Sequence, residues 1–210
     1  MVLVYQQDKF FPVPEALDFS ACIVEQNPYF DPVGVFKGEH VFTQKWIGPR
    51  TNIGQDIITR LLDIPELDSN SIDGIQILEA QKPFDVHSDY ILTDHQVPIS
   101  DPEKCKPTYT VVIPLVTGDY HTIVFDQSAE YNKFMDYKDN NPVLENHVSD
   151  ADWQKYLSHC HAEDQKYLTI KKVFTWHAGD MFAFHRTLFH AAANFTVPKT
   201  GIVAWLSKFS

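Results

Sequence analysis

The spacing of hydrophobic positions changes once along the chain, from a helical period to a strand-like one. In residues 51–63, apolar side chains recur three and four positions apart, as on the buried face of an amphipathic helix. Asn52 and Gln55 form a capping-box-like start for this helix. From residue 74 the apolar segments are short and rich in β-branched and aromatic residues. This pattern predicts strands at 74–80, 84–90, 108–116, 120–126, 169–176, 180–185 and 199–208.

Many short strands with few helices between them favour a sandwich or jelly roll over a parallel, doubly wound sheet. The predicted fold class is therefore mainly β with flanking helices. A polar insertion at about 127–168 interrupts the strands, and it contains a predicted helix at 150–162 with Ser149 and Asp152 as its capping box. Because an insertion of this length in a barrel often covers the mouth, a lid is expected here.

No internal repeat or break in composition marks a second domain, so residues 1–210 are expected to form a single one. Residues 1–73 would support a jelly-roll core over 74–210. The 210 residues are 44% hydrophobic and 21% charged, with 15 Phe and 9 Tyr, which is typical of a folded globular protein rather than a disordered or fibrous one.

The charge and the cysteines narrow the partners and the compartment. The net charge of -11 argues against nucleic acid and anionic membranes as partners. Apolar stretches such as 111–116 fall far below the roughly 20 residues that span a bilayer. The first residues lack the basic region and the long apolar stretch of a secretory signal, so a cytoplasmic location is expected. Cys22, Cys105 and Cys160, an odd number at wide spacings, do not describe a disulfide framework.

Two segments place histidine and aspartate where they can hold a metal. His87 and Asp89 stand two positions apart at the end of a strand-like segment, and the period of two sends both to one face. In the second segment, a Gly-Asp turn begins an apolar strand that ends in a histidine. His190 is the better ligand there, since His185, five residues earlier, would point to the opposite face and is expected to be a core residue.

His87, Asp89 and His190 together make the ligand set of the 2-His-1-carboxylate facial triad, which binds Fe(II) and leaves three coordination positions open. Two of these positions can take a bidentate 2-oxo acid, and the third is free for dioxygen. Zn(II) can occupy the same ligands, but it prefers four-coordinate sites and has no redox chemistry. The ligand set therefore favours Fe(II).

Further motifs follow in a consistent order. Residues 84–90 read Phe-Asp-Val-His-Ser-Asp-Tyr, 110–115 form a long apolar strand, and 118–122 end in a turn followed by threonine. With His190, they make residues 75–208 resemble the core of the Fe(II)- and 2-oxoglutarate-dependent oxygenases, particularly the prolyl 4-hydroxylase-like group. The resemblance implies a double-stranded β-helix, which is a cupin-like jelly roll, and it implies Fe(II), 2-oxoglutarate and O2 as cofactor and cosubstrates.

The resemblance also implies the residues that hold the cosubstrate. Members of the group anchor the far carboxylate of 2-oxoglutarate with a basic residue after the distal histidine. Lys199, which lies nine positions after His190, resembles that residue, and Arg186 is the alternative. Thr122 is implied to hydrogen-bond the cosubstrate carboxylate, and Tyr109 is a further candidate for cofactor contact.

The implied activity is hydroxylation of a C–H bond in a peptide residue, an amino acid or a small metabolite, with release of succinate and CO2. Asp89 favours hydroxylation over halogenation, because halogenating members replace this carboxylate with a small residue. Two alternatives stay open. The first is a cupin-like metal enzyme or metal-binding jelly roll that does not use 2-oxoglutarate, and the second is a non-enzymatic jelly roll in which these side chains are incidental.

The other histidines have simpler interpretations. His159, Cys160 and His161 look like a metal motif, but they fall in the predicted helix, where adjacent positions do not face one another. They are expected to form a solvated or partly buried face. His95 and His121 are candidates for the mouth of the site, and either can equally be a surface residue.

Overall fold

The computed structural model describes residues 4–13, 33–36, 39–89, 105–128 and 134–209. The strands in these ranges are β1 (Val4–Gln7), β2 (Val33–Phe36), β3 (Glu39–Trp46), β4 (Ser71–Ala80), β5 (Cys105–Pro114), β6 (His121–Ser128), β7 (Ile170–Thr175), β8 (Met181–His185), β9 (Leu188–Ala192) and β10 (Lys199–Phe209). The helices are α1 (Asn52–Leu62), α2 (Phe134–Asn140) and α3 (Asp150–Tyr156), with a short 3₁₀ helix at Ala162–Tyr167.

The strands form two antiparallel sheets. The large sheet has seven strands in the order β1-β8-β5-β10-β4-β3-β2, and the small sheet has three in the order β7-β6-β9. The chain passes from one sheet to the other after β5, β7, β8 and β9. The predicted fold class, a mainly β jelly roll with flanking helices, is confirmed.

Helix α1 covers the outer face of the large sheet. Its buried residues Ile57 and Leu61 pack with Val111 and Ile113 of β5, while Val112 points to the opposite face, toward the small sheet. Strand β5 is therefore buried on both faces. This explains why it is apolar at successive positions rather than at alternate ones.

The cap of α1 differs from the prediction. Thr51, not Asn52, is the N-cap, because its hydroxyl accepts a hydrogen bond from the Gly54 amide at 3.1 Å. Asn52 is already helical, so it cannot serve as the cap. The helix itself is confirmed, and none of the described helices is long and apolar enough to cross a membrane.

The insertion packs on the outer face of the small sheet. Phe134 of α2 and Trp153 of α3 form one buried cluster with Ile123, Phe125 and Phe189 of that sheet. Without this cover, these strand residues would be exposed to water. Among the described residues, no side chain from the insertion lines the large cavity described below, so the expected lid is not what the structure shows.

The helices of the insertion agree with the prediction in part. Ser149 caps α3 as expected, since its hydroxyl accepts a hydrogen bond from the Asp152 amide at 3.1 Å. However, α3 ends at Tyr156, with Leu157 as its C-cap, well before residue 162. Helix α2 and the 3₁₀ helix were not predicted because both are too short to show a clear period.

The predicted strand at 84–90 is wrong. His87 makes an isolated bridge to His190, and the residues around it are irregular. Tyr90, the last residue of that prediction, lies outside the described residues. Strands β1, β2, β3 and β9 were not predicted as separate elements, and a turn at Arg186 divides the apolar run between β8 and β9.

Arg186 lies at the corner where the chain leaves the large sheet for the small one. Its side chain is 1% exposed, and its Nη1 donates to Asp73 Oδ2 at 2.8 Å. Its Nε donates to the backbone oxygen of Asp89 at 3.0 Å, and its own carbonyl accepts from the Asp89 amide at 3.1 Å. One buried arginine therefore joins the corner to β4 and to the irregular segment.

Replacing Arg186 with methionine should destabilise the protein by about 3 to 5 kcal/mol, because Asp73 would stay buried without its cation. Urea unfolding monitored by circular dichroism measures the change. Arg60→Met is the matched control, since Arg60 forms an ion pair with Asp56 in which both side chains are well exposed. That substitution should cost less than about 1 kcal/mol. Equal losses for the two variants would contradict the assigned role of Arg186.

Candidate active site

The structure brings His87, Asp89 and His190 together, as the sequence predicted. The His87 Nε2 atom lies 3.9 Å from Asp89 Oδ1, and the His190 Nε2 atom lies 3.6 Å from Asp89 Oδ2. One ligand atom from each residue lies within 4.8 Å of the other two. A single ion with bonds of about 2.0–2.2 Å can reach all three after small side-chain rotations.

Backbone carbonyls fix the orientation of both imidazoles. His87 Nδ1 lies 2.7 Å from the Asp85 oxygen, and His190 Nδ1 lies 3.2 Å from the Leu188 oxygen. A carbonyl only accepts, so each Nδ1 carries the proton and each Nε2 has a free lone pair. Both free lone pairs belong to the nitrogens nearest Asp89, which is the arrangement that metal-ligating histidines adopt.

Paired backbone hydrogen bonds set the separation of the two histidines. The His87 amide donates to the His190 oxygen at 3.0 Å, and the His190 amide donates to the His87 oxygen at 2.8 Å. Their ring centroids are consequently 4.3 Å apart. The irregular segment thus carries two of the ligands but is attached directly to the strand that carries the third.

The charge states suit a metal. Burial and the neighbouring His87 together lower the pKa of His190 to about 4 against the opposing effect of Asp89, so the ring is neutral at neutral pH. Burial acts to raise the pKa of Asp89, but His190, His87 and the hydrogen bond from Thr110 outweigh it and hold that pKa below its ordinary value. Thr110 Oγ1 donates to Asp89 Oδ2 at 2.6 Å. The cluster therefore offers two imidazole nitrogens, one of them on the neutral ring of His190, and one carboxylate.

The cluster opens into a cavity of about 830 Å³, including its mouth, between the two sheets. The walls are mostly apolar, with Leu78, Val112, Phe184 and Val203 from four neighbouring strands of the large sheet. An apolar lining with a few converging polar groups is typical of a small-molecule site.

Lys199 also lines this cavity. The side chain is buried, and its Nζ sits 4.0 Å from the centre of the Trp176 ring and 5.1 Å from that of Phe195. Trp176 Nε1 in turn donates to Thr122 Oγ1 at 3.0 Å, so these side chains form one group. Burial lowers the pKa of Lys199 to about 7.

The distance between this group and the metal ligands follows from the strand register. Thr122 pairs with Ala192, which lies two residues after His190 on β9. Two residues of a strand span about 7 Å. This group is therefore separated from the metal ligands by about the length of a small dicarboxylate.

The other predicted contacts fall outside the cavity. Tyr109 is adjacent to Thr110 and points to the other face of β5, where its ring packs edge-on against His185. Arg186, the alternative anchor, is engaged with Asp73. His185 Nδ1 lies 2.8 Å from the Thr187 hydroxyl and does not join the metal ligands. His95 and Tyr90 lie outside the described residues.

Several cavity residues were not found from the sequence. Thr110 was read only as part of a strand, and Trp176 lies just past the end of β7. Gln76 Oε1 and Trp205 Nε1 are buried and are the only such atoms without a hydrogen-bond partner within the described ranges. Both residues line the cavity. The one available signal for Trp205 was its spacing from Lys199: the two residues are six positions apart on one strand, so they are expected on the same face.

Solved structures with similar folds share little sequence with this chain. The viral collagen prolyl hydroxylase of Paramecium bursaria chlorella virus 1, in a 2OG complex, is 10% identical, with a TM-score of 0.49 over 98% of this chain and 96% of that chain. A prolyl-4-hydroxylase from Pseudomonas putida is 12% identical, with a TM-score of 0.45 over 99% and 93%.

The non-heme alpha ketoglutarate dependent epimerase SnoN from nogalamycin biosynthesis is 11% identical, with a TM-score of 0.47 over 84% of this chain and 66% of that chain. This chain therefore spans about two thirds of the epimerase. No protein-family model and no curated protein matches the sequence. The resemblance predicted from the sequence motifs is confirmed as a likeness of fold.

Burial of Lys199 should make stability depend on pH. The pKa is about 7 in the folded protein and 10.5 as the ordinary value, so the unfolded chain binds more protons between these limits. The free energy of unfolding gains up to about 1.4 kcal/mol per pH unit from this residue as pH rises. Lys199→Met should be more stable than the wild type near pH 7, and the difference should close toward pH 10.5.

Urea unfolding at several pH values tests this difference. Lys208→Met is the control, because Lys208 is exposed on the same strand. A difference between Lys199→Met and the wild type that stays constant over this pH range would contradict the assigned burial of a titrating lysine.

Proposed function

We propose that the protein is an Fe(II)- and 2-oxoglutarate-dependent oxygenase that hydroxylates a C–H bond of a peptide residue, an amino acid or a small metabolite. The observation that carries this proposal is the arrangement of one cavity. Two histidines and an aspartate that approach one point line this cavity, and so does a buried lysine. Either feature alone is compatible with other functions, whereas their combination suits a metal that binds one end of a dicarboxylate.

His87 Nε2, His190 Nε2 and an Asp89 oxygen would hold the iron. Two imidazoles and one carboxylate match the donor set that non-heme Fe(II) oxygenases use. Fe(II), together with 2-oxoglutarate and O2, supplies oxidative decarboxylation to succinate and CO2 and the oxidation of a C–H bond. Thr110 keeps one Asp89 oxygen engaged through its hydroxyl and so restricts rotation of the carboxylate.

Lys199 and Thr122 would bind the far carboxylate of 2-oxoglutarate. The two carboxyl carbons of this five-carbon acid are about 5 Å apart, given C–C bonds of about 1.5 Å. That length, with the contacts at each end, suits the separation of about 7 Å along β9. A carboxylate buried here needs a partner charge, and Lys199 supplies it once protonated. Trp176 positions the Thr122 hydroxyl and covers the lysine.

The remaining wall residues would receive the primary substrate. Phe42, Phe84 and Leu78 give this part of the cavity an apolar surface that excludes water. The Gln76 Oε1 atom can accept a hydrogen bond, and the Trp205 Nε1 atom can donate one. Because leaving a buried polar atom unpaired costs about 1–3 kcal/mol, a substrate that pairs with both would gain affinity. An amide or another group with both a donor and an acceptor satisfies this requirement.

An anaerobic titration with Fe(II) and then 2-oxoglutarate tests the proposal. A visible metal-to-ligand charge-transfer band should develop in the wild type, because 2-oxoglutarate would coordinate the Fe(II) ion held by the protein. His190→Ala should abolish the band through loss of a metal ligand. Lys199→Met should weaken 2-oxoglutarate binding by about 10- to 100-fold, since a hydrogen bond to a charged group is worth about 1.5–3 kcal/mol.

His185→Ala is the matched control for this titration, because His185 is bonded to Thr187 rather than to the metal cluster. That variant should keep the band. Binding of Fe(II) without a band would instead favour a cupin-like metal enzyme that does not use 2-oxoglutarate. Absence of metal binding would overturn the catalytic account.

Affinity for 2-oxoglutarate should also depend on the protonation of Lys199. The pKa is about 7 in the free protein, so the lysine is charged below this pH and loses its charge above it. The dissociation constant should therefore rise above pH 7, by up to about tenfold per unit. Lys199→Arg should keep its affinity at high pH because arginine stays charged. Calorimetric titration under anaerobic conditions measures both proteins, and parallel pH profiles would contradict the anchor role.

A further inference from the structure

The turn after α3 places two potential metal ligands, His159 and Cys160, beside a third, Asp85, in the irregular segment. Ligand atoms of Asp85, His159 and Cys160 lie within 4.8 Å of one another. The sequence argued against a site here because a helix was expected to continue to residue 162. Since α3 ends at Tyr156, His159 and Cys160 lie in a turn, and adjacent residues can approach the same point.

An asparagine fixes the orientation of the His159 ring. The Asn194 Nδ2 atom donates to the Lys155 oxygen at 3.0 Å, to Ser158 Oγ at 3.0 Å and to the Gln154 oxygen at 3.4 Å. These contacts assign the other side-chain atom as the oxygen, and Asn194 Oδ1 lies 2.7 Å from His159 Nδ1. The Nδ1 atom is therefore the donor. This leaves Nε2 as the ligand-bearing nitrogen of the ring.

The surroundings of His159 Nε2 suit a positive centre. The Phe84 backbone oxygen lies 3.1 Å from Nε2, and Cys160 Sγ lies 3.3 Å from it. A neutral ring with its proton on Nδ1 would direct its Nε2 lone pair at the lone pairs of a carbonyl oxygen. A cation between these atoms turns that repulsion into attraction, and the carboxylate of Asp85 stands ready to balance the charge.

We propose that Asp85, His159 and Cys160 form a zinc site that is separate from the iron site. Carboxylate oxygen, imidazole nitrogen and thiolate sulfur are the three side-chain ligands that zinc takes in proteins. With zinc bonds of about 2.0–2.3 Å, the edges of a tetrahedron measure about 3.4–3.6 Å. The observed separation of 3.3 Å between His159 Nε2 and Cys160 Sγ is slightly shorter, so these two ligands need to move only by a few tenths of an ångström.

The geometry leaves a route for the ion and a place for a fourth ligand. Asp85 is exposed and Cys160 is buried, so the site extends from the surface inward. The Phe84 backbone oxygen, 3.1 Å from His159 Nε2, can serve as the fourth ligand. Burial raises the pKa of the Cys160 thiol to about 12, so zinc would displace the thiol proton to bind the thiolate.

This site would act on the position of the iron ligands. The backbone oxygen of Asp85 accepts the hydrogen bond that orients His87. Zinc would tie the segment before His87 to the turn after α3, which packs on the small sheet. The proposed role is therefore structural, and the two metal sites share no ligand.

Cobalt titration of the full chain tests the proposal, because thiolate bound to Co(II) gives a near-ultraviolet charge-transfer band that nitrogen and oxygen ligands do not. The band should form in the wild type and in His190→Ala, which lacks an iron-site ligand. It should be lost in Cys160→Ser and His159→Ala. Added Zn(II) should displace the cobalt and remove the band.

Three variants serve as controls: Cys22→Ser, Cys105→Ser and His161→Ala, of which His161 is the exposed neighbour of Cys160. All three should keep the band. Its absence in the wild type, its survival in Cys160→Ser or its loss in His190→Ala would each overturn the proposal. The first of these results would mean that a proton on His159, paired with Asp85, is the positive centre.

A measurement on the unmodified protein covers the case in which a variant fails to fold. Peptide-level mass spectrometry after brief alkylation compares Cys160 with Cys22 and Cys105, with and without Zn(II). Zinc should slow modification of Cys160 alone, because a thiolate bound to a metal is a poorer nucleophile. An unchanged rate at Cys160 in the presence of zinc would overturn the site.

Discussion

The reciprocal backbone hydrogen bonds between His87 and His190 are the constraint on which the site depends. His190 belongs to a strand of the small sheet, whereas His87 lies in an irregular segment with no strand partner of its own. These two hydrogen bonds align that segment with the strand and fix which of its residues lies opposite His190. Arg186 then holds the backbone of Asp89 from the corner of the large sheet. The fold thus positions three side chains from two distant parts of the sequence, with backbone hydrogen bonds between the segments and the Arg186 side chain holding the backbone of Asp89.

A second constraint on the fold is that it must bury the amine of Lys199 in an apolar cavity. Lys199 is buried among aromatic rings, which stabilise a cation less well than water does. The jelly roll tolerates this cost because the two sheets are well packed elsewhere, with Ile113, Ile123 and Phe125 fully buried. A residue placed at such a cost in folding free energy is expected where its side chain binds a ligand instead of stabilising the fold. The same argument applies to the unpaired atoms of Gln76 and Trp205.

The sequence predicted that His87, Asp89 and His190 lie together because they belong to short motifs, and it predicted the fold class because the strands alternate with turns. It could not choose between neighbours on β5. Thr110 faces the cavity and Tyr109 faces away, but this strand is buried on both sides, so no polar and apolar alternation marks its faces. Nor did the sequence show where α3 ends. That helix stops because the chain turns to bury Leu157, a tertiary contact that no local signal encodes.

The ligands are held by segments of unequal local stability. His190 pairs with β6, whose residues Ile123, Val124 and Phe125 are buried on both faces, so opening this strand requires loss of two hydrophobic clusters. The segment that carries His87 is attached by a few hydrogen bonds and opens at lower free energy. An ion would consequently meet one ligand already immobile and two that lose conformational entropy on binding. Additional contacts that hold the segment carrying His87 and Asp89 in place would raise metal affinity without contacting the metal.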